Sequence, residues 1–374
     1  MRLALVSPSM GFGGAERLVA MLVAGLAARG HDVALLAPRG ELDADLQGVE
    51  HERVEIDDHG RGARGAAATA LQLARALRRL RPELVHAQNV KATALARGAL
   101  LAGRGPRLLA TFHGVEPGEY RRAALLLRGA DRVVCVSEDL LEGIVAAGLP
   151  RARVELIGNA VPLAGELPVG ERRRLDRELA LGPGPVVTIA GRLVPQKAHE
   201  RFVVAARRIA DELPQARLLI VGDGPRRGEI RRLIDAAGLA DRVLMTGGRA
   251  DARAIIARSD LLVFSSDWEG LSIAALEALA AGTPIVATDV QGMRELLAGG
   301  AGAVVALDDG TALGERVVAL LRDPAQRAAM GAEGRALIRQ RYSLDGMLDA
   351  YETAYARVCR EAPAARTQRA NPRL

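Results

Sequence analysis

Aromatic residues are scarce in this 374-residue chain, at 2% of the sequence. The hydrophobic core must therefore be aliphatic, and a protein that binds single-stranded nucleic acid by stacking bases on aromatic rings is disfavoured. Cysteine is also scarce, with only Cys135 and Cys359. Two such cysteines provide neither a disulfide framework nor the spacing of a metal site, and they favour a reducing, cytoplasmic setting.

Long apolar runs are missing as well. No stretch approaches the roughly 18 uninterrupted apolar residues of a membrane-spanning helix, and the apolar run at the N-terminus is too short for a signal peptide. The net charge of +6 favours anionic partners, either phosphate-bearing ligands or an acidic membrane surface. Basic runs such as Arg172–Arg174 have a simpler interpretation, which is that they form solvated helix faces. The sequence has no zinc-finger spacing that would indicate a nucleic-acid partner.

Short apolar runs alternate with longer helical patterns in the first half of the chain. Most of the runs are apolar on both faces, as buried parallel strands are. The predicted strands are Leu3–Ser7, Asp32–Ala37, Leu84–Gln88, Arg107–Phe112, Arg132–Val136 and Val154–Ile157. Helical patterns such as Glu16–Ala28 and Thr69–Leu80 lie between them, and this alternation predicts a doubly wound parallel α/β sheet.

The alternation breaks at residues 161–170, where proline and glycine mark a domain boundary. It then restarts, with predicted strands at Pro185–Ala190, Ala216–Val221, Arg242–Met245, Leu261–Phe264, Pro284–Ala287 and Ala303–Ala306. The sequence therefore predicts two successive α/β domains of similar size, followed by helices at Pro324–Arg341 and Leu344–Arg360. Residues 361–374 have little apolar content and are predicted to form a disordered tail.

A glycine cluster follows the first predicted strand, in the run Met10-Gly11-Phe12-Gly13-Gly14-Ala15-Glu16-Arg17. Glycines there let the backbone approach a ligand, and the start of the following helix favours anions. The spacing is not the G-x-G-x-x-G of a dinucleotide site, and no acidic residue ends the second strand to hold a ribose. A dinucleotide site is therefore disfavoured, and an ordinary tight turn is the alternative.

A second cluster, Gly191-Arg192-Leu193-Val194-Pro195-Gln196-Lys197, directly follows the first strand of the second half. The Arg192 guanidinium and the Lys197 ammonium are suited to clamping a diphosphate. Lys91 and Lys197 are the only lysines among 51 basic residues, so a lysine at this turn indicates a need for a compact point charge. A chance surface lysine is the alternative, which we favour for Lys91.

Two glutamates eight residues apart, Glu269 and Glu277, mark the most specific motif. Glu269 is predicted to lie in a loop, and Glu277 about two turns into the following helix. The backbone N–H groups of Gly270, Leu271 and Ser272 would stand free at the helix start, which suits a diphosphate. Because its neighbours are apolar, Glu277 needs a partner, and the vicinal hydroxyls of a ribose would provide one.

In combination these motifs resemble the retaining glycosyltransferases of family 4, which have the GT-B fold. The resemblance covers about residues 1–360 and includes a further run, Val221-Gly222-Asp223-Gly224-Pro225. It implies two Rossmann-like doubly wound parallel-sheet domains that face a central cleft. Residues 1–165 would form an acceptor-binding domain and residues 166–343 a nucleotide-sugar donor-binding domain, with the last helix, 344–360, returning to the N-terminal domain.

The resemblance also implies two sets of site residues. The catalytic set comprises Glu269, Arg192, Lys197 and His113. The donor-binding set comprises Gly13, Gly14, Gly191, Gly222, Gly224, Gly270, Leu271, Ser272 and Glu277. In this scheme the cations contact the diphosphate, the ribose binds the second glutamate, the base lies near residues 222–225, and the histidine lies beside the acceptor.

Two residues depart from the family pattern, each beside a binding loop or the hinge. Ala198 stands where glycine usually follows the lysine, and Asn159-Ala160-Val161 stands where Asn-Gly-Val is common, so that Ala160 replaces a glycine. Both substitutions bear on the geometry of the loops and not on the fold.

The implied reaction is transfer of a sugar, with retention at the anomeric carbon and without a covalent intermediate, from a UDP- or GDP-sugar to a glycan or lipid-linked acceptor. Cell-envelope polysaccharide or glycolipid biosynthesis is the expected setting. We expect no cofactor and no metal, because Arg192 and Lys197 can stabilise charge on the leaving diphosphate. Asp43-Ala44-Asp45 is a D-x-D of the kind that holds a metal-bound donor in another glycosyltransferase fold, but no donor motif surrounds it.

Three alternatives stay open from the sequence: an epimerase or hydrolase of the same fold, a nicotinamide-dependent oxidoreductase, and a catalytically silent scaffold subunit. The expected location is cytoplasmic. Basic stretches at Arg75–Arg81 and Arg121-Arg122 favour peripheral contact with the anionic inner face of a membrane.

Overall fold

A computed structural model describes residues 1–11, 13–42, 46, 49–56, 62–101, 105–163 and 165–360. The predicted tail at 361–374 and the Asp43-Ala44-Asp45 motif lie outside the described residues. The described chain forms two all-parallel sheets, one in each half. No helix in these ranges is long and apolar enough to cross a membrane.

The first sheet has seven strands in the order β3-β2-β1-β4-β5-β6-β7. The strands are β1 Arg2–Val6, β2 Asp32–Ala37, β3 Glu50–Arg53, β4 Leu84–Ala87, β5 Arg107–Phe112, β6 Arg132–Cys135 and β7 Val154–Leu156. The helices between them are α1 Gly14–Ala28, α2 Gly62–Leu80, α3 Val90–Ala99, α4 Tyr120–Leu127 and α5 Glu138–Ala146. Successive residues of β1 enter different apolar clusters, so both faces of the sheet are covered, as expected for a parallel sheet.

The second sheet has six strands in the order β10-β9-β8-β11-β12-β13. The strands are β8 Val186–Ala190, β9 Arg217–Val221, β10 Val243–Gly247, β11 Leu261–Phe264, β12 Ile285–Thr288 and β13 Gly302–Val305. The helices of this half are α6 Val169–Glu178, α7 His199–Glu212, α8 Arg227–Ala236, α9 Ala252–Arg258, α10 Ile273–Ala281, α11 Gln291–Leu297, α12 Gly310–Leu321, α13 Pro324–Arg341 and α14 Leu344–Arg360.

Both strand orders reverse direction at one point, between β1 and β4 in the first sheet and between β8 and β11 in the second. In open parallel sheets, ligands bind beyond the carboxyl ends of the strands at such a reversal, because the flanking loops separate there and leave a crevice. The Gly13-Gly14 turn follows β1, and the Gly191–Lys197 loop follows β8. The topology therefore brings both glycine-rich motifs to reversal points.

The last helix, α14, packs on the first sheet, which confirms its predicted return. Tyr351 and Tyr355 of α14 are fully buried. The Tyr355 hydroxyl lies 2.9 Å from Nδ1 of His86 on β4, and the Tyr351 hydroxyl lies 3.1 Å from Oγ1 of Thr111 on β5. Because most of the core is aliphatic, this aromatic and polar cluster gives the returning helix a distinct docking place.

The predicted strands are confirmed to within a residue or two at their ends, but β3 was missed. Its sequence, Glu50-His51-Glu52-Arg53, has no apolar residue, and it lies at the edge of the sheet where only one neighbour pairs with it. Apolar periodicity cannot detect such a strand. Helix α2 begins at Gly62 and so includes more of the chain than the predicted Thr69–Leu80.

Candidate active site

A partly buried ion pair lies at the reversal point of the second sheet. Nζ of Lys197, from the loop after β8, is 2.5 Å from Oε1 of Glu269, from the loop after β11. The lysine side chain is 16% exposed and the glutamate side chain 5%. Oγ of Ser266 donates a second hydrogen bond to the same carboxylate oxygen, at 2.5 Å. The carboxylate is thus held from two sides, so the ammonium it engages has a fixed position.

Hydrogen bonds to backbone carbonyls join the same two loops to each other. The Asp267 amide donates to the Gln196 carbonyl at 2.9 Å, and the Gln196 side-chain amide donates to the Trp268 carbonyl at 2.9 Å. Oγ of Ser265 donates to the Lys197 carbonyl at 2.8 Å. This network makes the loops after β8 and β11 one rigid unit, in which the spacing of Lys197 and Glu269 is set.

Arg192 differs from most arginines of the chain. Its side chain is exposed, and its guanidinium has no hydrogen bond or ion pair with any residue that the structure describes. By contrast, Arg226 lies 2.5 Å from Glu229, and Arg174 lies 2.6 Å from Glu171, so the run Arg172–Arg174 is a solvated helix face with an internal partner. Arg192 is therefore an available cation beside the Lys197 loop.

The start of α10 presents backbone N–H groups. The helix begins at Ile273 after the extended residue Ser272, whose side chain makes no capping hydrogen bond within the described chain. The first N–H groups of a helix have no intrahelical acceptor, so they bind anions well. Nδ2 of Asn159, at the crossover between the two halves, donates to the Leu271 carbonyl at 2.7 Å and fixes this turn.

Glu277 lies in α10 with its side chain 8% exposed, and its partner comes from the other half of the chain. Nη1 of Arg17, in the first turn of α1, is 3.0 Å from Oε1 of Glu277. Nη2 of Arg17 donates to the carbonyls of Arg249 at 3.3 Å and Ala250 at 3.1 Å. Burial raises the pKa of Glu277, and Arg17 opposes that rise. The expectation that Glu277 needs a partner is met in this structure by Arg17, which sequence reasoning missed.

Gly222 and Gly224 bring the loop after β9 against the loop after β8. A Cβ atom on Gly222, whose φ is +143°, would lie 1.9 Å from the Gly191 carbonyl oxygen, and one on Gly224 would lie 2.7 Å from the Leu193 carbonyl oxygen. Only glycine permits these approaches. The two loops therefore form one wall of the crevice, while contact with a nucleotide base stays a prediction.

The site residues of the first sheet lie at its carboxyl edge. A Cβ atom on Gly14 would lie 3.3 Å from Cβ of Ile273, so the start of α1 closely approaches the start of α10. His113 follows β5, and its Nε2 atom is inaccessible and has no hydrogen-bond partner among the described residues. Burial lowers the pKa of His113 to about 4, so this histidine is neutral at pH 7.

The departure at Ala198 has a clear backbone consequence. Ala198 has φ +41° and ψ +53°, the left-handed conformation that costs an L-residue about 1–2 kcal/mol and that glycine adopts freely. The next residue, His199, is fully buried, and neither ring nitrogen has a partner in the described part of the chain. Burial, with Lys197 and Arg226 nearby, lowers the pKa of His199 to about 4.

The predicted site residues thus gather on two facing edges. Arg192, Lys197, Glu269 and Glu277, with the loop glycines, lie on the second sheet, whereas Gly13, Gly14 and His113 lie on the first. The described residues contain no group of three or more His, Cys, Asp or Glu side chains that could hold a metal ion. The arrangement provides cations, helix N–H groups and a buried carboxylate, which together suit a nucleoside diphosphate.

Family models match both halves of the chain. The model of glycosyl transferases group 1 matches residues 171–337, and the model of Glycosyltransferase Family 4 matches residues 12–164. The chain belongs to glycosyltransferase family 4. This membership favours sugar transfer over the oxidoreductase and scaffold alternatives, and the GT-B arrangement expected from the resemblance is confirmed.

Relatives of this glycosyltransferase act in envelope biosynthesis. It is 27% identical to the lipopolysaccharide core biosynthesis glycosyltransferase LpsE of Rhizobium meliloti, over 91% of this chain and 94% of that protein. It is 34% identical to a GDP-mannose-dependent phosphatidylinositol monomannoside mannosyltransferase of Mycobacterium tuberculosis, over 67% and 69%. Its fold matches HepE of Anabaena, solved with UDP and glucose, with TM-score 0.82 at 20% identity over 96% of this chain and 100% of that one.

Replacing His199 by leucine should stabilise the glycosyltransferase, and more so in acid. In the unfolded chain His199 binds a proton below about pH 6.5, its ordinary pKa. In the folded chain burial lowers that pKa, so His199 binds the proton only near pH 4. Stability from this group is therefore present above pH 6.5 and lost as the pH falls, by about 1.4 kcal/mol per unit. Urea unfolding at pH 7 and pH 5 should show the His199→Leu advantage growing by about 2 kcal/mol. An advantage that is equal at both values would contradict this.

Proposed function

We propose that this glycosyltransferase moves a sugar from a UDP- or GDP-sugar to a glycan or lipid-linked acceptor of the cell envelope, with retention of anomeric configuration and without a metal. The observation that carries the proposal is the Lys197–Glu269 pair at the β8/β11 reversal point, 2.5 Å apart, together with Arg192 of the same loop, which has no partner among the residues that the structure describes. A fixed ammonium, an available guanidinium and the N–H groups of α10 all suit an anion.

These groups would act on the leaving nucleoside diphosphate. As the bond from the sugar to the diphosphate breaks, negative charge develops on the phosphate oxygens. Lys197, Arg192 and the N–H groups at the start of α10 would stabilise that charge, in a loop unit that needs little reorganisation. Removal of one such preorganised donor costs about 2.7–4 kcal/mol of transition-state stabilisation in comparable sites. This positive charge takes the place that a metal ion would otherwise fill.

The comparisons support the substrate classes without choosing the donor. The mycobacterial relative uses GDP-mannose and acts on a phosphatidylinositol monomannoside, and the structure of HepE, which has the same fold, holds UDP and glucose. The LpsE relative functions in lipopolysaccharide core biosynthesis. Both the uracil and the guanine nucleotides therefore belong in any test of this protein.

Retention without a covalent intermediate is the mechanism that the carboxylates support. Glu269 is tied to Lys197 and Ser266, and Glu277 is tied to Arg17. Neither is an unengaged carboxylate of the kind that attacks an anomeric carbon in retaining hydrolases. Attack by an acceptor hydroxyl on the face from which the diphosphate departs, with the hydroxyl proton passing to the departing diphosphate, would leave the sugar configuration unchanged.

Thermal protection by nucleotides tests the diphosphate clamp. UDP or GDP at about a hundredfold over its dissociation constant should stabilise the protein by roughly 2.7 kcal/mol. The protection should persist in EDTA and disappear in Lys197→Ala and Arg192→Ala, because each substitution removes one of the phosphate-binding cations. The measured quantity is the shift that the ligand adds to each variant's own melting temperature.

Lys91→Ala and Arg231→Ala are matched controls that change the same residue types elsewhere and should keep the protection. ADP and NAD serve as alternative ligands. Protection by NAD alone, by none of the nucleotides, or only in the absence of EDTA would contradict the proposed metal-free site.

The stereochemical course is a separate test. Proton NMR of the first product formed should show the transferred sugar in the same anomeric configuration as in the donor. Mass spectra of the intact enzyme during turnover should show no added sugar mass. An inverted product would refute retention, and a stable glycosyl adduct would refute a mechanism without a covalent intermediate.

Peripheral contact with an anionic membrane is part of the same proposal. Helices α2, α3 and α4 pack side by side on the first sheet. On α2, Arg75 and Arg78 are exposed one turn apart, and on α4, Arg121 and Arg122 are exposed beside the exposed Leu125. Basic and apolar side chains together on one surface suit anionic lipid headgroups over an acyl layer.

Vesicle sedimentation tests this surface. The protein should sediment with phosphatidylglycerol vesicles at low salt, and binding should weaken with added salt and with the double substitution Arg121→Glu and Arg122→Glu. Uncharged phosphatidylcholine vesicles and the Arg231→Ala variant are the controls. No binding to the anionic vesicles at low salt would remove the membrane part of the proposal.

A further inference from the structure

Arg17 carries charge from the first half of the chain into the second. Its side chain is 15% exposed, and its guanidinium pairs with Glu277 at 3.0 Å, although the two residues are 260 positions apart. The other nitrogen of its fork donates to the carbonyls of Arg249 and Ala250, which precede α9. Three contacts from this one side chain hold the start of α1 against α10 and against the loop that precedes α9.

The local electrostatics make this pairing consequential. Glu277 is buried among apolar residues of α10, so its ionised form requires cations nearby. Arg17 is the direct partner, and Arg253 of α9 adds a longer-range attraction. Arg335 of α13 donates to the Ala281 carbonyl at the other end of α10. The charge balance at Glu277 therefore depends chiefly on a residue from the opposite sheet.

We propose that Arg17 is a positioning residue of the ribose site, which holds Glu277 ionised and in one rotamer so that its carboxylate accepts hydrogen bonds from the ribose hydroxyls. This inference rests on the proposed function, in which Glu277 binds the ribose. The described contact with Arg17 uses Oε1 only, and each carboxylate oxygen accepts more than one hydrogen bond. The ribose therefore joins Arg17 at Glu277 and does not displace it.

The backbone at the start of α1 allows this reach. A Cβ atom on Gly14 would lie 3.3 Å from Cβ of Ile273, so the first turn of α1 lies directly against the first turn of α10. Arg17, three residues further along α1, then extends toward Glu277, four residues further along α10. Under this proposal the donor site is complete only when both sheets contribute to it.

Nucleotides with and without ribose hydroxyls test the role of Arg17. Isothermal titration calorimetry would compare UDP and GDP with their 2′,3′-dideoxy forms on the wild type, Arg17→Met and Arg17→Lys. For Arg17→Met we expect ribonucleotide affinity to fall at least tenfold and dideoxy affinity to stay within twofold. Arg17→Lys should recover part of the loss, because an ammonium restores the charge beside Glu277 but not the fork to the two carbonyls.

Arg29→Met is the matched control. Arg29 follows the end of α1 and pairs with Asp349 at 2.6 Å and Glu352 at 2.8 Å of α14, so its loss also breaks ion pairs between elements but leaves Glu277 untouched. Its nucleotide affinities should equal those of the wild type. Melting curves of each variant establish that it is folded before titration.

Other outcomes would overturn the inference in distinguishable ways. Equal losses of ribonucleotide and dideoxynucleotide affinity in Arg17→Met would assign Arg17 to the diphosphate or to the fold. Tighter ribonucleotide binding would mean that Arg17 competes with the ribose. A wild-type protein that binds neither UDP nor GDP would overturn the proposed function itself, and this inference with it.

Discussion

The site depends on the partly buried ion pair between Lys197 and Glu269. Either charge would be destabilising in this partly buried position without its partner, and together they join the loops that follow two adjacent strands of the second sheet. Because the pair and its hydrogen bonds set the loop positions, they also set the place of the ammonium and of the N–H groups at the start of α10. A single interaction thereby organises the features that suit a diphosphate.

Close backbone contact is the second constraint. Gly222 permits the loop after β9 to touch the loop after β8, and Gly14 permits α1 to touch α10. The first contact builds a wall of the crevice, and the second brings Arg17 within 3.0 Å of Glu277. The arrangement couples the two halves of the chain at the point where a donor would bind, so nucleotide binding at this point would depend on the relative placement of the sheets.

Much of the fold could be predicted from the sequence because buried parallel strands are apolar on both faces. The exception, β3, is polar and pairs on one side only, so no periodic signal marks it. The site loops could be predicted from Gly191, Lys197 and Glu269, whose residue types are unusual for their surroundings. The partner of Glu277 could not, because a contact across 260 residues leaves no local pattern. The nucleotide base of the donor could not be predicted either, because the glycines expected near the base have no side chains that would distinguish one base from another.

A crystal structure of the protein with UDP or GDP is the most direct test of the donor site. The account predicts the diphosphate within hydrogen-bonding distance of Lys197, Arg192 and the N–H groups at the start of α10, with the ribose hydroxyls on Glu277. A nucleotide bound instead at the Gly13-Gly14 turn, with the crevice beside Lys197 holding only solvent, would contradict it.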